Sequence, residues 1–127
     1  MTPTQTATAR TLATLPGFAW EAGMRWVLMN PGPEGWLFGV CVPDNDLPIG
    51  GIGNRWAGEQ DVPDLTHDGC GGIIFTALGP GWKAWNSTEG GWVVCNYANR
   101  GKIIEGSTLA EASALAHIAR GRYGVAP

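Results

Sequence analysis

Trp82-Lys83-Ala84-Trp85-Asn86-Ser87-Thr88-Glu89-Gly90-Gly91-Trp92-Val93-Val94-Cys95-Asn96-Tyr97 reads as two short apolar strands folded back across Ser87 to Gly90. Strands joined by so short a loop run antiparallel. Side chains alternate along each strand, so with that loop Trp85 faces Trp92 and Trp82 faces Cys95. One face then carries Lys83, Trp85, Trp92, Val94 and Asn96. The other carries Trp82, Ala84, Val93, Cys95 and Tyr97 and is core-like. Two readings of the first, half-polar face stand. It is an exposed aromatic platform, since Trp is enriched among binding hot spots, or it is packed beneath a helix, since Trp is highly buried on average.

The same logic applies upstream. Met24 to Met29 and Trp36 to Val42 are strand-like runs on either side of Asn30-Pro31-Gly32-Pro33-Glu34-Gly35, which is strong turn chemistry. The second run is apolar on both faces, as in a strand covered on both sides. Lys102 to Glu105 supplies a further strand. Ala9 to Leu15 predicts a short helix stopped by Pro16-Gly17. Asp64 or Thr66 is placed to cap a second helix running to about Leu78, weakened inside by Gly69, Gly71 and Gly72. Thr108 with Glu111 is a capping box for a last helix, packed through Leu109, Ala112, Leu115, Ala116 and Ala119 and ended at Gly121. Hairpin-linked strands with segregated helices predict an α+β fold: an antiparallel sheet of about five strands, two hairpins plus one strand, with helices packed on it. Residues 1–8 read as a disordered tail. Residues 9–123 read as one domain with a long Gly- and Asp-rich loop over 43–63.

Composition bounds the function. Charge is sparse at 15%, the net charge is −3, and eight Lys and Arg are scattered along the chain. That argues against nucleic acid as a partner. No 18-residue apolar run and no signal-peptide pattern occur, so the reading is a cytoplasmic protein with no membrane segment. The three cysteines Cys41, Cys70 and Cys95 contain no C-x-x-C and read as buried small hydrophobes.

No catalytic constellation stands out. Gly51-Ile52-Gly53-Asn54-Arg55-Trp56 has Trp where a dinucleotide fingerprint needs its third glycine, and it lacks a P-loop lysine. It reads either as a recognition loop with Arg55 and Trp56 as anchors or as a connection with Trp56 folded back. Asp44, Asp46, Asp61, Asp64 and Asp68 do not have EF-hand spacing and read as solvated loop and helix-start charges. His67 and His117 are too isolated for a zinc site. A Cys70–His67 nucleophile pair is the weaker alternative to a structural cysteine. No catalytic residue, cofactor or metal is therefore assigned.

Three strings carry a resemblance. Leu15-Pro16-Gly17-Phe18-Ala19-Trp20-Glu21-Ala22-Gly23-Met24-Arg25 resembles the opening of small uncharacterised phage and prophage proteins. Val62-Pro63-Asp64-Leu65-Thr66, with the Cys70-containing helix after it, resembles their middle. Gly106-Ser107-Thr108-Leu109-Ala110-Glu111-Ala112 resembles their end and, more weakly, that of phage alpha-beta-alpha sandwich domains. The likeness leaves out the loop after Val42 and transfers no site. Together with the lack of a catalytic constellation, the sparse charge and the surplus of tryptophan, it points to a non-catalytic accessory protein of a phage or mobile element. Such a protein would bind and block a host protein or protein complex inside the bacterial host cell, as an anti-CRISPR type of inhibitor does in counter-defence. Of the seven tryptophans, Trp26, Trp36 and Trp82 read as core and Trp20 has no assigned role. The expected partner-binding residues are Arg55, Trp56, Trp85 and Trp92. Two alternatives remain: a small-molecule or nucleotide-binding protein or small enzyme with a pocket between the 50–58 loop and the Trp hairpin, and a virion or assembly component.

Overall fold

The computed structural model describes residues 1–29, 36–41, 56–97 and 102–125. In chain order these form α1 (Pro3–Thr14), β1 (Arg25–Met29), β2 (Trp36–Val40), β3 (Val62–Pro63), α2 (Asp68–Thr76), β4 (Trp82–Asn86), β5 (Trp92–Asn96), β6 (Ile103–Gly106) and α3 (Leu109–Arg120). The α+β class is as expected, but the strands form two antiparallel sheets of three strands, β2-β1-β3 and β4-β5-β6, instead of one of about five. Each hairpin fills its open edge locally. β3 takes the free side of β1, pairing Trp26 with Pro63, and β6 takes the free side of β5. Pro63 has no N–H to donate, which suits an edge strand. A strand of two residues has no periodicity to announce it. The expected Asn30 to Gly35 turn lies outside the described residues, as does most of the 43–63 loop, including the stretch from Gly50 to Arg55.

The N-terminus is a correction. Residues 3–8 lie in α1, where a disordered tail was expected. Thr2 Oγ1 accepts from the Gln5 N–H at 3.1 Å and Thr2 N donates to Gln5 Oε1 at 2.9 Å, a complete capping box with Pro3 at the first helical position. Gln5 is buried, and its Nε2 donates to Ser107 Oγ and Glu111 Oε2, both at 3.0 Å, which ties the start of α1 to the start of α3.

α2 starts later than expected, capped by His67, whose Nδ1 accepts from Cys70 N at 3.3 Å. Asp64 serves the turn before it: its Oδ1 accepts from Thr66 N (3.0 Å) and Thr66 Oγ1 (2.6 Å), and its Oδ2 lies 3.3 Å from Arg25 Nε. Gly71 lets α2 approach α3, because a Cβ there would stand 3.2 Å from Ala110 N.

α3 is the spine. Ala110 and Ala114 face one core with Leu12, Met24, Val27, Leu65 and Ile74, while Ala112 and Ala116 face a second core with Leu78 and Val94. A helix buried on two sides needs small residues on both, which explains its run of alanines. Its capping box is only half formed. Thr108 Oγ1 accepts from Glu111 N at 3.0 Å, but the Glu111 carboxylate turns to Ser107 and Gln5 instead of Thr108 N. The Thr108 hydroxyl also donates to the Leu65 carbonyl. Thr108→Ala is therefore expected to lower stability in urea unfolding by about 1–2 kcal/mol, with Thr108→Ser keeping most of it; equal losses in both variants would mean that the methyl group matters, not the hydroxyl.

Candidate binding face

The β4–β5 loop holds one residue more than the sequence reading gave it. Asn86 pairs with Trp92, which leaves Ser87 to Gly91 as the connection. Ser87 N donates to Gly91 O at 2.8 Å, Gly90 N to Ser87 O at 3.1 Å, and Gly90 adopts a φ of 95°. Only glycine takes that conformation without strain. A shift of one residue turns every side chain of a strand to the other face. Trp85 consequently pairs with Val93, not Trp92, and Lys83 pairs with Cys95.

The two faces are sorted accordingly. Trp82, Ala84, Trp92, Val94 and Ile104 turn inward and pack with Leu78, Ala112 and Ala116. Lys83, Trp85, Val93, Cys95, Ile103 and Glu105 turn outward in register across the sheet. Tyr97 joins them just past β5, with Lys83 Nζ 5.1 Å from its ring centroid. On this outer face Trp85 is 40% exposed, Tyr97 62% and Ile103 58%, while Val93 and Cys95 on the central strand are buried. The face therefore carries Trp85, Ile103 and Tyr97 around buried Val93 and Cys95, with Lys83 between Trp85 and Tyr97 and Glu105 across Val93 from Trp85.

Of the expected anchors, Trp85 lies in this face. Trp92 is half-buried on the opposite side of the sheet, so the two do not form one platform. Trp56 is exposed, in the segment leading to β3 of the other sheet, and Arg55 lies outside the described residues. Tyr97 and Ile103 were missed. The Gly90-Gly91 pair permits the longer loop that resets the faces, but the strand pattern does not select it over the shorter one. Trp20 packs on the first core, edge-on to Phe18 with centroids 5.5 Å apart.

Other sequence candidates have structural roles. Cys70 sits between backbone groups: Arg25 N donates to its Sγ at 2.9 Å and the thiol donates to Arg25 O at 3.3 Å. Burial pushes the thiol up to about 11, so it is protonated at neutral pH and is not an activated nucleophile. His67 meets the Cys70 backbone N–H through Nδ1. Asp61 and Asp64 are buried, not solvated, and Asp61 Oδ2 accepts from Gly58 N at 2.6 Å. Asp44 and Asp46 lie outside the described residues, and Asp68 occupies the first turn of α2 as expected.

The pocket expected between the 50–58 loop and the Trp hairpin falls largely on residues outside the description. Two open clefts lie elsewhere. One of about 400 Å³ runs along Arg10, Thr14, Leu28, Glu59, Asp61 and Val62, and one of about 380 Å³ lies beside the β4–β5 turn at Glu89, Trp92, Glu105 and Ser107. Among the described residues no group of three or more His, Cys, Asp or Glu is placed to hold a metal ion, and no helix is long and apolar enough to cross a membrane. Comparison with known protein families, characterised proteins and solved structures finds no match to this chain.

Proposed function

We propose that this protein acts by binding another protein through the outer face of the β4-β5-β6 sheet. The observation that carries this is the exposure of Trp85, Tyr97 and Ile103 together on one face of a regular sheet. Each is a side chain that water solvates poorly, and clustered exposed apolar groups with a polar rim are what interaction surfaces present. Trp and Tyr bring large contact area with few rotors to freeze, so they anchor interfaces well. Lys83 and Glu105, at opposite strands of the face, set the orientation in which a partner of matching charge docks. The phage-like strings point to a host protein as that partner. Binding there would block whatever the covered surface does, as an inhibitor of a host defence complex blocks its target. No chemistry by this chain is needed for that mode of action.

The test is a double variant, Trp85→Ala with Tyr97→Ala. Two hot-spot residues at about 2 kcal/mol each predict a loss of binding of roughly 1000-fold to a partner captured by the wild type and then purified. The melting temperature should stay within a few degrees. Binding that survives this variant but is lost in Trp56→Ala would move the interface to the other sheet.

A further inference from the structure

We propose that His117 is the latch of an acid-released strap, the C-terminal segment Arg122 to Val125. His117 lies in α3 and is fully buried. Its Nε2 is 2.9 Å from the Ile74 carbonyl oxygen, which can only accept, so Nε2 carries the proton. Nδ1 is then a bare acceptor. It receives the Gly124 N–H and Arg120 Nη2, both at 3.2 Å. The same Nη2 donates to the Gly124 carbonyl at 2.7 Å, and Nη1 donates to Leu78 O at 3.3 Å. The imidazole and the guanidinium together hold both backbone groups of Gly124.

The rest of the strap is docked by packing: Tyr123 is buried in the first core and Val125 lies against Gly79. Tyr123 stacks on His117 with centroids 4.3 Å apart and planes 21° from parallel, and Phe18 meets its ring edge-on at 5.1 Å. Tyr123 N donates to Pro16 O at 2.8 Å. Against this, Tyr123 Oη and Arg122 Nε are buried without a hydrogen-bond partner among the described residues. Desolvation without a partner weakens docking. That penalty offsets part of what the burial of Tyr123 contributes, so the strap is held less firmly than the cores around Val94 and Ala114.

A second proton on the imidazole would go to Nδ1, where it meets the Gly124 N–H and the Arg120 cation. Backbone groups of Ile74 and Arg122 favour the charged ring, but burial together with the Arg120 cation outweighs them. α3 presents Arg120, α2 presents the Ile74 carbonyl, and the strap presents Arg122 and the Tyr123 ring. Glu21, in the connection between α1 and β1, acts on the Tyr123 phenol and holds it up, as burial does. Burial foremost, then Arg120, pulls His117 down from 6.5 to about 4. A depressed pKa on a base means that the docked strap is fully favoured above pH 6.5 and loses that advantage as pH falls from 6.5 towards 4. Release uncovers Phe18, which lies in the phage-like opening string, and removes the cover from His117 itself.

Amide hydrogen exchange measured by NMR on the wild-type protein tests this. After correction for intrinsic rates, the opening constant at Tyr123 and Gly124 should rise about 30-fold between pH 7.5 and pH 5. At pH 5 these amides should be less protected than those of Val94 and Ala114 in the cores. His117→Phe, which keeps a stacking ring without the acceptor, should leave strap opening independent of pH. If that variant does not fold, imidazole nitrogen shifts of the wild type decide: Nδ1 bare and Nε2 protonated at pH 7.5 is the expected state. Strap protection that does not change with pH, strap and core amides equally protected at pH 5, or a proton on Nδ1 at pH 7.5 would each overturn the proposal.

Discussion

Trp26→Ala is expected to cost about 3–5 kcal/mol, the largest loss of any tryptophan truncation among the described side chains. Trp26 is 1% exposed on β1, the central strand of its sheet, between Gly39 on β2 and Pro63 on β3. Its ring lies on the face opposite Val27, which belongs to the first core, so β1 buries both of its sides. Neither cross-strand neighbour has a flexible side chain to fill the space, and the cavity therefore stays open. Against a total stability of about 5–15 kcal/mol, this loss is about a fifth or more of what holds the domain together. It should appear as a fall in melting temperature of about 10–20 °C for a chain of this size. Trp85→Ala removes an equally large ring from a 40% exposed position and should change stability by less than about 1 kcal/mol. Equal losses in the two variants would mean that the outer face of the second sheet is not a wet surface, and the binding proposal would fail with it.

That contrast also marks how far the sequence could be read. Hairpin-linked strands and terminal helices were legible because alternation and capping act over a few residues. The pairing of Thr108 with Glu111 located α3 for this reason, although the carboxylate found better partners in Ser107 and Gln5. Thr2 and Gln5 carried the same signal for α1 and were passed over because a threonine-rich start reads as solvated chain. What stayed hidden was set by long-range pairing. β3 is two residues recruited by the free edge of β1, and the division into two sheets follows from that recruitment. The candidate site turned on a single glycine. Counting Gly91 as strand put Trp85 beside Trp92, and counting it as loop puts Trp85 beside Val93, on the face that also carries Ile103, and sends Trp92 to the core. Local pattern could not decide this, because β5 is apolar on both faces and tolerates either register.

Two Gly→Ala substitutions should have effects of opposite sign, and their difference tests the packing of α3 directly. A Cβ on Gly106, at the end of β6, would stand 2.5 Å from Ala112 N and 2.9 Å from its Cα. Both are backbone atoms of the first turns of α3, so no rotamer change relieves the overlap. The helix would have to lift off the sheet, opening the second core at Val94, Ala112 and Ala116 and pulling against the Gln5 and Leu65 contacts that fix its start. Gly106→Ala should therefore cost about 3 kcal/mol, at the upper end of overpacking losses. Gly72 lies on the exposed side of α2, where a Cβ meets nothing within 4 Å. There alanine reduces the freedom of the unfolded chain and favours the helix, so Gly72→Ala should gain about 0.5–1 kcal/mol in urea or thermal unfolding. A Gly106→Ala protein as stable as wild type would show that α3 does not rest on β6 through this glycine, and the assignment of Trp82 and Trp92 to the inner face would lose its basis.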